Sequence, residues 1–232
     1  MVLEIMNGKY TIIQQLINDM KKIFIGTVSS TATVSAYYLA SIFKSQKLLF
    51  ENNIDCYLDI IIDEPLVQLA RNKLLSLFIE SDCDELIFID SDQAWDAEDL
   101  LRLANIDKDF VGAPVILKNS NKYNVSFKNA INNNLIEVDF IGTGFLKISK
   151  KVAKAVSENS QEYKDGESYN KMAFEVKVVD NHIISEDFMF CKKWKDLGGK
   201  IFIDPSINPY HIGNSTFRGN FKEYLNSINN DK

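Results

Sequence analysis

Three apolar runs of strand length, Lys22–Val28, Cys56–Ile62 and Leu86–Ile89, alternate with two stretches of helical apolar spacing. The first stretch follows the Ser/Thr run Ser29–Thr33 and reaches about Phe50; the second starts after Pro65, a good first-turn residue, and reaches about Glu80. Strands alternating with helices of this length build right-handed βαβ units around a parallel sheet. Ligands then bind beyond the carboxyl ends of the strands. The turn after the first run offers only Gly26 where a dinucleotide fold of the hydride-transfer type needs three glycines, so that reading is not supported.

Composition narrows the functional classes. The 232 residues are 46% hydrophobic and 25% charged, an ordinary globular mixture that can bury a sizeable core. A net charge of −6 argues against nucleic acid or an anionic membrane as the main partner. A divalent cation can still make phosphate a ligand. Cys56, Cys83 and Cys191 are odd in number and widely spaced, which points to buried thiols in a reducing compartment rather than disulfides or a zinc knuckle. Residues 4–20 read as a short leading helix. The N-terminus lacks the pattern of a signal peptide and no run is long enough to span a membrane, so a soluble cytoplasmic protein is expected.

The second half changes character. Short β-like runs (Phe110–Val115, Tyr123–Phe127, Leu135–Phe140, Phe145–Ile148) are separated by Asn-rich turns, with Asn132–Asn134 as a hairpin tip, and predict antiparallel pairing. A helix over 150–158, a polar loop over 158–171, a helix over 186–197 stopped by Gly198-Gly199, and a strand at Ile201–Ile203 follow. The tail from Asn208 is polar, with one amphipathic turn around Phe221 to Ile228.

Asp-x-Asp occurs three times, at Asp82/Asp84, Asp107/Asp109 and Asp90/Asp92. Only the last stands at the carboxyl end of an apolar strand, so the other two read as solvated turn residues. Two carboxylates at a strand end are hard oxygen ligands suited to Mg²⁺ or Mn²⁺. A metal there can bridge the phosphates of a nucleoside diphosphate. The bland alternative is an Asx turn leading to a helix capped by Asp96.

The run Leu86–Asp92 with Trp95-Asp96 and the helix after it resembles the core of GT-A fold glycosyltransferases, closest to small family-2-like enzymes. Three further pieces stand in the order of that family: Gly142–Phe145; Ser185–Phe188 opening a helix that ends in Trp194–Gly199; and Asp204–Ser206 leading to His211–Gly213. Together they span roughly residues 21–215. The resemblance implies one α/β domain with a mixed, Rossmann-like sheet: a parallel nucleotide-sugar-binding half over about 21–107, an antiparallel acceptor-side half over about 108–215, and a tail over 216–232.

The resemblance also implies roles. Asp90 and Asp92, with Ser91 between them, would hold Mn²⁺ or Mg²⁺ against the donor's diphosphate, Asp92 as the more direct ligand, and His211 would complete the metal site. Glu186 or Asp187 would deprotonate the acceptor hydroxyl. Arg71 would reach the nucleotide or the sugar. The first turn, with Thr27 and Ser29, would face base and ribose, although it lacks the proline many relatives carry there. Gly144 would let the backbone approach the sugar. Trp95 either stacks on an acceptor or closes a core edge. The expected partners are a nucleoside-diphosphate sugar, UDP-sugar first among them, and a glycan or other hydroxyl acceptor, with hexosyl transfer; in-line attack would invert, although no sequence feature fixes the stereochemistry, and oligomeric state is open. Loop 158–171, or the tail with Arg218 and Lys222, would close over the donor. Two competing readings remain: a phosphotransfer or nucleotidyl enzyme using the same acidic pair, and a sugar-nucleotide or glycan-binding module without turnover.

Overall fold

In the computed structural model, residues 20–126 and 134–230 are described; the leading-helix reading and most of the Asn-rich tip lie outside them. Strands β1 (Lys21–Ser29), β2 (Ile54–Ile62) and β3 (Glu85–Ile89) pair in parallel in the order β2-β1-β3, joined by helices α1 (Ala36–Glu51) and α2 (Val67–Glu80). Pro65 stands just before the Leu66 cap of α2 rather than inside its first turn.

Beyond β3 the sheet becomes mixed. A two-residue strand β4 (Gln93–Ala94), helix α3 (Ala97–Asn105) and β5 (Phe110–Gly112) come next in the chain. Two short pieces, β6 (Val125–Ser126) and β8 (Phe140–Ile141), pair with each other outside the main sheet, while β7 (Ile136–Val138) joins it. Strand β9 (Phe145–Ser149) inserts antiparallel between β3 and β5. Helix α4 (Lys150–Glu158) follows, its first turn capped by the Ser149 hydroxyl.

The polar stretch expected as a loop over 158–171 is instead a hairpin, β10 (Glu162–Asp165) with β11 (Ser168–Lys171). It is fastened to α2 by Ser76–Asn170 and by Lys73, which pairs with both Asp165 and Glu64. A second hairpin, β12 (Lys177–Val179) with β13 (His182–Ile184), runs directly into α5 (Glu186–Asp196). Strand β14 (Ile201–Ile203) completes a seven-stranded order β2-β1-β3-β9-β5-β14-β7. The tail is more ordered than its polarity suggests. Strands β15 (Tyr210–Ile212) and β16 (Thr216–Phe217) form a small sheet with β4, and α6 (Phe221–Asn230) buries Phe221 and Leu225 in the core.

Alternation along the strands divides the core. Phe24, Leu86, Phe88, Phe110 and Leu146 face α2, α4 and α5, while Ile23, Ile25, Ile87, Ile89 and Val111 face α1 and α3. Both faces are covered, as a parallel sheet requires, which explains why these strands read as continuous apolar runs. No described helix is long and apolar enough to cross a membrane.

Candidate functional site

The carboxyl ends of β1 and β3 open onto a crevice of about 270 Å³ lined by Val28, Ser30, Glu64, Arg71, Asp90 and Asp92, among others. The two aspartates lie in one crevice but in different company.

Asp90, half-buried, pairs with a buried arginine. The Arg71 side chain is 6% exposed, and its Nη2 donates to Asp90 Oδ1 at 3.1 Å. Its Nη1 donates to the Glu186 carboxylate. Burial acts against the guanidinium charge, but Asp90, Glu186 and Asp187 outweigh it and raise the pKa above the ordinary arginine value. One arginine thus ties the end of β3, the inner face of α2 and the first turn of α5 together. Asn72, beside it, fixes the same assembly: its side chain donates to the Phe174 carbonyl at 2.9 Å and accepts from the Phe174 N–H at 2.8 Å. Gly144 makes the backing wall. Its carbonyl accepts from the Asp90 N–H at 3.3 Å, and a Cβ there would stand 3.3 Å from Asp90 Oδ2, so any side chain would crowd the carboxylate.

Asp92 faces an open polar group. Strand β4 starts one residue later and pairs with β15, which sets His211 opposite Gln93. The Ile212 N–H donates to the Asp92 carbonyl at 2.7 Å. His211 Nε2 lies 3.3 Å from Asp92 Oδ2, and Lys118 Nζ lies 2.6 Å from the same oxygen. Burial pushes the Asp92 carboxyl up, but the bonds from His211 and Lys118 outweigh it and hold the carboxyl at about 2. His211 Nδ1 is 2.8 Å from the Ile116 carbonyl. A carbonyl only accepts, so Nδ1 carries a proton; Nε2 then donates to Asp92 only as the imidazolium and in the neutral ring presents a lone pair, the form that a metal would take.

Asp187 sits beside Glu186 with a different arrangement. Its Oδ1 accepts from the Ser185 hydroxyl and, at 2.8 Å, from the Phe188 N–H. Ser185 is the N-cap by position but spends its hydroxyl on Asp187 rather than on a helix N–H. The Asp187 Oδ2 has no bonded partner among the described residues.

Arg71, Asp90, Ser91 and Asp92 line the crevice; Gly144 backs Asp90, Glu186 is held by Arg71 with Asp187 next to it in the chain, and His211 faces Asp92. The predicted base contacts at Thr27 and Ser29 need correcting. Both side chains are buried and turned inward: Thr27 bonds the Tyr38 hydroxyl at 2.5 Å, and Ser29 bonds the Thr33 carbonyl at 2.7 Å. Strand alternation points their neighbours Val28 and Ser30 into the crevice instead. Asp90 and Asp92 do not converge on one point, because Arg71 holds the first. Trp95 is a core residue, 3% exposed, edge-on to Tyr38 and bonded to Ser45. Arg218, expected with the tail to close over the donor, is tied to Asp96 and stacked on Tyr210. His182 is exposed on β13. Asp82 pairs with Lys22, and Asp109 with Lys151 and Ser149.

Among the described residues no group of three or more His, Cys, Asp or Glu side chains is arranged to hold a metal ion. Asp92 and His211 nevertheless form a two-donor edge of the right chemistry. A small divalent cation is commonly held by one or two protein ligands with substrate phosphates and water supplying the rest.

No family model and no curated protein sequence matches this chain. Solved structures do. A197 from STIV is similar at 24% identity, with 84% of this chain and 87% of that chain covered and a TM-score of 0.54. S. aureus TarS 1–349, in complex with UDP-GlcNAc, is similar at 13% identity with a TM-score of 0.50. There 88% of this chain matches 61% of that one. The mixed seven-stranded sheet with six described helices is a Rossmann-like GT-A fold, as expected.

Proposed function

We propose that the chain is a family-2-like, metal-dependent glycosyltransferase moving a sugar from a nucleoside-diphosphate sugar, UDP-sugar first, to a hydroxyl acceptor. The observation that carries this reading is the linkage of three chain-distant motifs at the strand ends: Arg71 ties Asp90 to Glu186, and His211 faces Asp92. The resemblance to a structure holding UDP-GlcNAc agrees with a nucleotide-sugar donor.

Asp92 and His211 are the residues that would hold Mn²⁺ or Mg²⁺, His211 with its Nδ1 proton fixed on Ile116. Bound there, a divalent ion would supply positive charge to the departing diphosphate. Asp90 takes a different part: locked to Arg71, it sets the relative position of β3 and α5. Glu186 is committed to Arg71, which leaves Asp187 as the general base. Its Oδ1 is held by Ser185 and Phe188, and its Oδ2 would take the acceptor's hydroxyl proton. In-line attack from that side inverts the anomeric centre. Val28 and Ser30, which line the crevice, would face the nucleotide.

The test is a thermal-shift panel of UDP, GDP, CDP and dTDP sugars with and without Mn²⁺, followed by donor hydrolysis. A ligand at about a hundred times its Kd adds roughly 2.7 kcal/mol. A metal-requiring shift with one nucleotide, with slow hydrolysis of its sugar, supports the transferase. A shift without hydrolysis returns the binding-module reading, and no shift from any nucleotide sugar sinks both.

A further inference from the structure

Lys118 was not legible as a site residue. It lies on a tight turn closed by the Ile116–Tyr123 bridge and the Leu117 N–H to Lys122 carbonyl bond, with Asn119 in the left-handed region at φ +55°. That turn serves the crevice twice. Its Ile116 carbonyl fixes the His211 tautomer, and its Lys118 ammonium lies on Asp92 Oδ2, the oxygen that His211 also faces. The lysine stem crosses Gly213, where a Cβ would stand 3.4 Å from Lys118 Cδ and 3.5 Å from Cε. A Cβ there would sit in ordinary contact with the stem, so only a branched or larger side chain at 213 would push it aside.

We propose that Lys118 is an exchangeable counter-ion. It holds Asp92 in the free protein, gives up that oxygen when a divalent cation arrives with the donor, and moves onto the donor's diphosphate. The inference rests on the metal-dependent reading of the site given above. Three observations carry it. Lys118 and a cation bound by Asp92 and His211 compete for one oxygen. The lysine side chain is 37% exposed, so its head swings without leaving a buried charge unpaired. An ammonium on a flexible four-carbon stem is a strong point-charge partner for phosphate. In both states each negative group keeps a cation, so exchange is electrostatically balanced.

The experiment compares wild type, Lys118→Ala and Gly213→Val. Mn²⁺ alone is titrated by electron paramagnetic resonance, and UDP is titrated by calorimetry at saturating Mn²⁺. Lys118→Ala should bind Mn²⁺ alone several-fold more tightly, because the competitor is gone. It should bind UDP about tenfold more weakly, because a phosphate contact is lost. Gly213→Val, which pushes the stem aside, should shift both in the same directions by less. Unchanged constants in Lys118→Ala, or losses in both together, overturn the exchange while leaving the transferase reading intact. Failure of the wild type to bind UDP with Mn²⁺ overturns the two together.

Discussion

Asp90 and Asp92 are separated by one residue yet live in unlike surroundings. Asp90, itself 29% exposed, meets a guanidinium that is almost wholly buried and shared with Glu186, whereas the Asp92 side chain is 40% exposed and meets a lysine that is 37% exposed and a histidine that is 17% exposed. Strand alternation would put residues two apart on one face; the turn after β3, closed by the Gln93 N–H to Asp90 carbonyl bond, instead sends one carboxylate toward α2 and α5 and the other toward β15 and the 116–123 turn. Buried charges must be paired permanently, because breaking the pair leaves a desolvated ion. Exposed ones can change partner at little cost. The same residue type thus serves as a structural clasp at one position and, in the proposed reading, as a metal ligand at the other.

The contrast should appear first in activity. Asp92→Ala is expected to lower transfer by about a hundredfold or more, the usual cost of removing a group that stabilises charge in the transition state. Its folding free energy should change by less than about 1 kcal/mol, since its ion pairs are partly exposed. Arg71→Met should behave oppositely in stability. With both carboxylates left without their shared cation, urea unfolding should show a loss of about 3 kcal/mol or more. A loss below about 1 kcal/mol would mean that Asp90 and Glu186 find other partners and that the clasp is no clasp.

How far the sequence carried the reading follows the same physics. The βαβ half was legible because burial on both faces leaves long apolar runs, and α4 and β14 matched the expected residues. The hairpins at 162–171 and 177–184 were not, since strands such as Lys177–Val179 and His182–Ile184 bury neither face and show no alternation. Helix α6 is anchored by Phe221 and Leu225 at i, i+4 spacing, too few apolar residues to show more than a turn. At the site, the ordered motifs pointed to Arg71, Asp92, Glu186 and His211, but parity within β1 decides whether Thr27 or Val28 faces the crevice, and a one-residue choice is invisible in an apolar run. Asn72 carried a usable signal, because an asparagine beside an arginine on an otherwise apolar helix face must find partners if buried. Lys118 carried none; only tertiary pairing brings its turn to Asp92.

A third carboxylate sharpens the comparison because it is half-buried without a close cation. Asp99, in the first turn of α3, is raised to about 6, chiefly by burial and next by Asp96, against lowering by the Asn208 N–H and Arg218. A raised folded-state pKa means that the folded chain holds the proton more tightly than the unfolded chain. Stability should therefore fall as pH rises from about 4 to about 6 and stay reduced above that. Asp99→Asn keeps an acceptor for the Asn208 N–H and removes the charge. It should stabilise the protein at pH 7–8 by about 1–2 kcal/mol, allowing for partial exposure, and by almost nothing at pH 4.

Asp92 supplies the reverse sign and the smallest effect. Its carboxyl is depressed to about 2, so its contribution is complete above the unfolded value of 3.8 and is lost as pH falls through 2. At 40% exposure, screening should leave about 1 kcal/mol of that contribution. Subtracting the acid limbs of wild type and Asp92→Asn isolates it. A difference that vanishes in 0.5 M salt, roughly a 4 Å screening length, marks Asp92 as the exposed, exchangeable partner. A difference that persists at high salt would place it with Asp90, held by a buried guanidinium, and the contrast between the two aspartates would fail.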